Sequence, residues 1–227
     1  MKCVSCGIFQ YELERVLPEI EAELGIRVDV EYLEMALDAD AELLEKAVSE
    51  KLNACLAGAA GTSAADDFSG RRRNSGSAAK NTGEKPLLLY GSMCHTEWPR
   101  ITAGSGAVYP APANCAEMLI GPEKKRELQS EGDAYFLTST SFKNWKDIFI
   151  RMRRMDEFTA RQNFCYFQKV IVLDAGLFQF TDEELFEFFE FTQVPVELLP
   201  ITLDYFKGIV KELCQKQRQA PLFAGRG

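Results

Sequence analysis

Strand-like and helix-like segments alternate along almost the whole chain, and no other feature restricts its fold as strongly. Parallel strands can be joined only by crossover connections. Repeated strand–helix–strand units therefore specify an α/β protein with a mostly parallel, open sheet, flanking helices and Rossmann-like βα units. Lys2 to Cys6 reads as the first strand, after which Leu13, Val16, Leu17, Ile20 and Leu24 recur at helical spacing, with Pro18 marking a kink. Ile26 to Tyr32 alternates as a second strand. Leu44, Val48, Leu52 and Cys55 mark a second amphipathic helix that Asp38 or Asp40 can cap. Further strands are expected at Pro86 to Tyr90, Ala107 to Tyr109, Ala134 to Leu137, Val170 to Leu173 and Val194 to Leu199. Helices are expected over Cys115 to Glu131, Phe142 to Phe167, a segment capped by Thr181, and Tyr205 to Gln215. Asp182, Glu183 and Glu184 give the Thr181 helix a negative first turn, which suits the helix dipole.

Between about 58 and 84 the apolar periodicity stops, and Gly, Ser, Ala, Asn and charged residues dominate. This reads as a mobile insert, a lid or a disordered excursion, within a single α/β domain spanning residues 1–227.

The balance of 46% hydrophobic and 26% charged residues is that of a globular protein with a substantial core. A net charge of -8 argues against nucleic acid as a partner, because phosphate contacts need a concentrated basic surface. The basic clusters Arg71-Arg72-Arg73 and Arg151 to Arg154 read as solvated faces. No run of 18 apolar residues is present to span a membrane, and no signal-peptide h-region opens the chain, so a cytoplasmic protein is expected. Seven cysteines in a reducing compartment are not a disulfide framework, and the odd number agrees.

Three of those cysteines, Cys6, Cys94 and Cys115, each fall just past a strand-like stretch, where open α/β sheets build their binding sites. On neighbouring parallel strands their thiols converge on one edge. Three thiolates can hold a four-iron iron–sulfur cluster through three irons, leaving the fourth open to a small-molecule substrate. They can equally hold zinc, with His95 or Glu117 completing a tetrahedral shell. A third chemistry is a thiol enzyme with Cys94 or Cys6 as nucleophile. Cys3, three residues before Cys6 on the same strand, faces the other way and reads as core, as do Cys55, Cys165 and Cys214. His95, the only histidine, follows Cys94 directly and reads as ligand, general acid or surface residue. Thr138, Ser139, Thr140 and Ser141 follow a strand and either bind a substrate carboxylate or phosphate or simply cap the next helix, and Asp174 ends a strand at the same edge. Neither a phosphate-binding loop nor a dinucleotide fingerprint is present.

Read in order, Cys6-Gly7-Ile8-Phe9 with Glu12, Val30 to Leu37, Leu88 to Cys94, Asn114 to Gly121, Tyr135 to Thr138 and Val172 to Leu177 resemble the family known as domain of unknown function 1638. The resemblance spans nearly the whole chain outside the insert. It implies roles for Cys6, Cys94, Cys115 and, less firmly, Glu117. It also implies an association with corrinoid-dependent methyltransfer in anaerobes, which favours the cluster over zinc. The chain departs from the family pattern at Ala113-Asn114, before the third cysteine, and at His95, where glycine is usual. Three functions are thus expected: a metalloprotein of anaerobic one-carbon metabolism, as enzyme or accessory factor; a metal-free partner of a corrinoid methyltransferase; or the thiol enzyme using Cys94 or Cys6. In the second, the aromatic run Phe186 to Phe191 would meet the partner, although a place in the core explains it equally well.

Overall fold

A computed structural model describes residues 1–59 and 85–219. The insert expected at 58–84 lies, from residue 60 onward, outside them. Strand β1 (Lys2–Cys6) is buried at every position after Lys2, as a central strand covered on both faces must be. It pairs in parallel with β2 (Asp29–Leu33) and β3 (Leu87–Leu89), in the order β2-β1-β3, with Cys6 opposite Leu33 and Ser5 opposite Leu89. A second parallel sheet, β4 (Ala134–Thr138), β5 (Lys169–Asp174) and β6 (Val196–Pro200), has β5 at its centre. Val170, Ile171, Val172 and Leu173 of β5 are fully buried.

The α/β class is as the alternation requires, but the parallel strands form two three-stranded sheets rather than one. The segment expected as a strand at Ala107 to Tyr109 makes only an isolated bridge, Val108 to Leu87. Pro110 and Pro112 follow it, and prolines have no N–H with which to continue a ladder.

Helix α1 (Gln10–Leu24) joins β1 to β2, passes through Pro18 and ends at Gly25 in the left-handed conformation. α2 (Ala41–Ala59) is capped by Asp40, whose carboxylate accepts from the N–H groups of Glu42 and Leu43. Between β3 and β4 lie α3 (Trp98–Ala103), α4 (Cys115–Ile120) and α5 (Pro122–Ser130). The single helix expected over Cys115 to Glu131 is broken at Gly121, where φ is 82° and proline follows. The helix expected over Phe142 to Phe167 is likewise divided into α6 (Ser139–Lys143), a wide π-type turn (Lys146–Met152) and α7 (Glu157–Phe164). The division falls at Arg154, with φ of 53°, and at Asp156, which caps α7. α8 (Asp182–Thr192) begins with a full capping box between Thr181 and Glu184, and α9 (Asp204–Gln219) is last.

One buried cluster gathers β1, β3, α1 and α2 together with Ile171, Leu173, Phe206, Val210 and Leu213. A second, rich in aromatic rings, packs Phe142, Trp145, Phe149 and Phe164 around Phe188. No helix among the described residues is long and apolar enough to cross a membrane.

Candidate functional site

Three chain segments leave the first sheet's carboxyl edge and bring Cys6, Cys94 and Cys115 to the wall of one cavity of about 120 Å³, which opens to solvent. Cys6 is the last residue of β1, and the chain turns at once into a short 3₁₀ turn, Gly7–Phe9. Cys94 sits in the loop after β3, its N–H donating to Gly91 O at 3.0 Å. Cys115 is the first residue of α4, behind the Asn114 cap that accepts from Glu117 N–H at 3.1 Å.

The second and third segments are held together backbone to backbone. Ser92 N–H donates to Pro112 O at 2.8 Å and Met93 N–H to Ala113 O at 3.0 Å. Gly91 makes this approach feasible, since a Cβ there would lie 2.4 Å from Ala113 O. Gly7 plays the same part at the first corner, where a Cβ would meet Leu33 O at 2.7 Å.

Burial dominates the electrostatics of the thiols. Burial first and the nearby Asp38 carboxylate in addition bring Cys6 and Cys94 up to about 12 and Cys115 to about 11. The thiols also perturb one another, Cys6 with Cys115 and Cys94 with both, as groups around one small space do. Ile8, Phe9, Phe136, Leu137, Ile148 and Phe149 supply apolar wall, while Asp38, Tyr90, Asn114, Ser141 and Arg153 supply polar groups. Two buried polar atoms among these lining residues lack a hydrogen-bond partner, the Tyr90 hydroxyl and the Arg153 Nε. The Tyr90 hydroxyl faces the Cys6 thiol closely enough for each to affect the other's titration, without forming a normal hydrogen bond.

The remaining expected residues stand elsewhere. His95 is buried against Trp98; its Nδ1 accepts from Glu97 N–H at 3.0 Å and its Nε2 donates to Ala41 O at 3.2 Å, so both ring nitrogens are engaged. Glu117 accepts from Ala113 N–H at 2.8 Å and from Lys125 at 3.1 Å. Thr138 caps α6, Ser139 donates to Leu173 O at 2.8 Å, and Asp174 accepts from Gly176 N–H at 2.9 Å. None of these five lines the cavity, and of the Thr138 to Ser141 run only Ser141 does. Cys3 and Cys214 are core, whereas Cys165, expected in the core among its aromatic neighbours, is exposed. The run Arg151 to Arg154, read as a solvated face, turns Arg153 inward. Asp38, Tyr90 and Arg153 carried no sequence signal beyond Tyr90 closing its strand just ahead of Gly91.

Among the described residues, no three His, Cys, Asp or Glu side chains close on a common point as one bound ion requires. The three thiols instead line the wall of one cavity, and soft sulfur donors of this kind are those that both zinc and iron–sulfur clusters take.

No curated protein and no solved structure matches the chain. A family model does, over residues 32–210, under the description Protein of unknown function (DUF1638). That match covers well over half of the chain, Cys94 and Cys115 included, and the protein belongs to the DUF1638 family.

Proposed function

We propose that Cys6, Cys94 and Cys115 hold an iron–sulfur cluster of the four-iron type and leave one iron for a small-molecule substrate, in an enzyme or accessory factor of one-carbon metabolism. The observation that carries this reading is the convergence of three thiols, from three separate corners of the chain, on one cavity. When bound, such a cluster supplies an open, Lewis-acidic iron and one-electron chemistry. The chain's own residues do the rest. Gly7 and Gly91 let the corners close up, the Tyr90 hydroxyl stands ready to donate to sulfur beside Cys6, and the apolar wall limits water. Zinc suits the site less well, since His95 and Glu117 are occupied elsewhere. All seven cysteines are free thiols, the state a reducing compartment such as the cytoplasm maintains.

A metal-free partner role, with a corrinoid methyltransferase as the partner, is the second reading. Of the run expected to meet it, Phe188 and Phe191 are buried in the aromatic core, but Phe186 stands exposed on α8, as does Phe158 on α7, which packs against it.

Anaerobic reconstitution followed by iron and sulfide analysis tests the first reading. The unmodified chain should take up about four irons and four sulfides, and Cys6→Ser, Cys94→Ser and Cys115→Ser should each lose most of them, while Cys165→Ser keeps them. Full occupancy in the triple variant would sink the proposal.

A further inference from the structure

We propose that the same cavity binds the carboxylate group of a small organic acid through Arg153. The inference rests on the cluster reading for what lies beside the bound acid, and on Arg153 alone for the binding. Arg153 closes the wide turn, its N–H donating to Ile148 O at 3.0 Å, and Arg154 then adopts φ of 53°. This reversal separates Arg153 from its neighbours: Arg151 pairs with Asp147 at 3.2 Å, whereas Arg153 forms no ion pair among the described residues. Its guanidinium lies 5.7 Å from the Phe149 ring centroid and interacts with the Tyr135 hydroxyl.

The Nε–H is the telling atom. It is buried, belongs to a residue lining the cavity, and has no acceptor among the described residues. A buried donor left unsatisfied is expensive, and one on a charged group more so. A carboxylate satisfies it in the geometry guanidinium favours, with two parallel hydrogen bonds from Nε and a terminal nitrogen.

The wall selects the class of anion. Ile8, Phe9, Phe136, Leu137 and Ile148 favour an apolar tail and penalise burial of a dianion such as phosphate. Asp38, at the exposed side, adds a repulsion that grows with ligand charge. A cavity near 120 Å³ in all restricts the acid to a short chain.

Calorimetric titration of the full chain with butyrate, its neutral isostere butyramide and inorganic phosphate tests this. Butyrate should bind at least tenfold more tightly than butyramide. Arg153→Met should bring butyrate down to the butyramide level, Arg153→Lys should retain part of the difference, and iron uptake on reconstitution should be unchanged in both. Equal affinity for butyrate and butyramide in the unmodified chain would overturn the inference without recourse to any variant. So would phosphate binding more tightly than butyrate, iron loss in Arg153→Met, or butyrate binding that disappears when the protein is fully loaded with iron. A chain that takes up no iron yet binds butyrate through Arg153 would remove the cluster and leave the acid site standing.

Discussion

Glu12 lies fully buried in the first turn of α1, and among the described residues its carboxyl has a single side-chain partner, the Thr140 hydroxyl at 3.3 and 3.4 Å. Burial pushes it up to about 7, so it keeps its proton well above the pH at which an ordinary carboxyl ionises. A carboxyl whose folded pKa is raised lends its stability in full below the unfolded value, and that stability falls as pH climbs toward the folded value. For Glu12 the window runs from the ordinary 4.5 up to about 7. Over it the unfavourable ionisation costs on the order of 3 kcal/mol. Glu12→Gln should therefore melt close to the unmodified protein at pH 4.5 and well above it at pH 8. A melting difference that does not change between the two pH values would reject this account. The thiols obey the same rule with a kinetic consequence. Burial keeps Cys6, Cys94 and Cys115 protonated in the metal-free protein, and only the thiolate reacts. Iodoacetamide at pH 7.5, followed by mass spectrometry, should label exposed Cys165 first and these three last. Rapid labelling of Cys94 or Cys6 would restore the thiol-enzyme reading. At this scale the sequence made Cys6, Cys94 and Cys115 legible because residues at strand ends share an edge. It hid Arg153, Tyr90 and Asp38, which reach the cavity through turns that leave no periodic trace.

Elements were legible where one local rule decided them. Thr181 with Glu184, and Asp40 ahead of α2, are caps whose chemistry is complete within four residues. Segments were misread where a single residue interrupts an apolar pattern that continues on both sides. Gly121 splits α4 from α5, Arg154 separates the wide turn from α7, and Pro110 ends the pairing begun by Val108. The glycines make the element scale testable. Gly91→Ala would place a methyl 2.4 Å from Ala113 O and 2.7 Å from the Asn114 Cα, both backbone, so the corner carrying Cys94 and the one carrying Cys115 must part. We expect a loss of roughly 1–3 kcal/mol together with reduced iron uptake. Gly208→Ala, in α9 with nothing within 4 Å of the new methyl, should instead stabilise by roughly 0.5–1 kcal/mol. Equal denaturant midpoints for the two variants would contradict the close-approach argument.

The molecule as a whole is two parallel sheets whose cores are not independent. α9 follows β6 in the chain, yet its contacts lie with the first half. Phe206 stacks on Phe9 with ring centroids 5.1 Å apart, Lys207 and Lys211 pair with Glu19 and Glu23 of α1, and Arg218 donates to Leu24 O. Ile171 and Leu173 of the second sheet also enter the first cluster. The cavity repeats the pattern, with thiols from the first half and Tyr135, Phe149 and Arg153 from the second. A binding site shared in this way needs both halves folded at once, so the physical expectation is one cooperative unit rather than two. The chain has two tryptophans, and each reports on one core: Trp98 packs beside Tyr90 and His95, Trp145 beside Phe188 and Phe191. Single-tryptophan variants, Trp98→Phe and Trp145→Phe, let fluorescence follow each half during denaturant unfolding. If α9 and β5 couple the cores, adding Phe206→Ala, a truncation costing about 3–5 kcal/mol, should lower the Trp145 transition as much as the Trp98 transition. A Trp145 midpoint that stays in place while the Trp98 midpoint falls would mean that the aromatic core stands without the first sheet, and that the shared cavity is assembled by docking two separately folded parts.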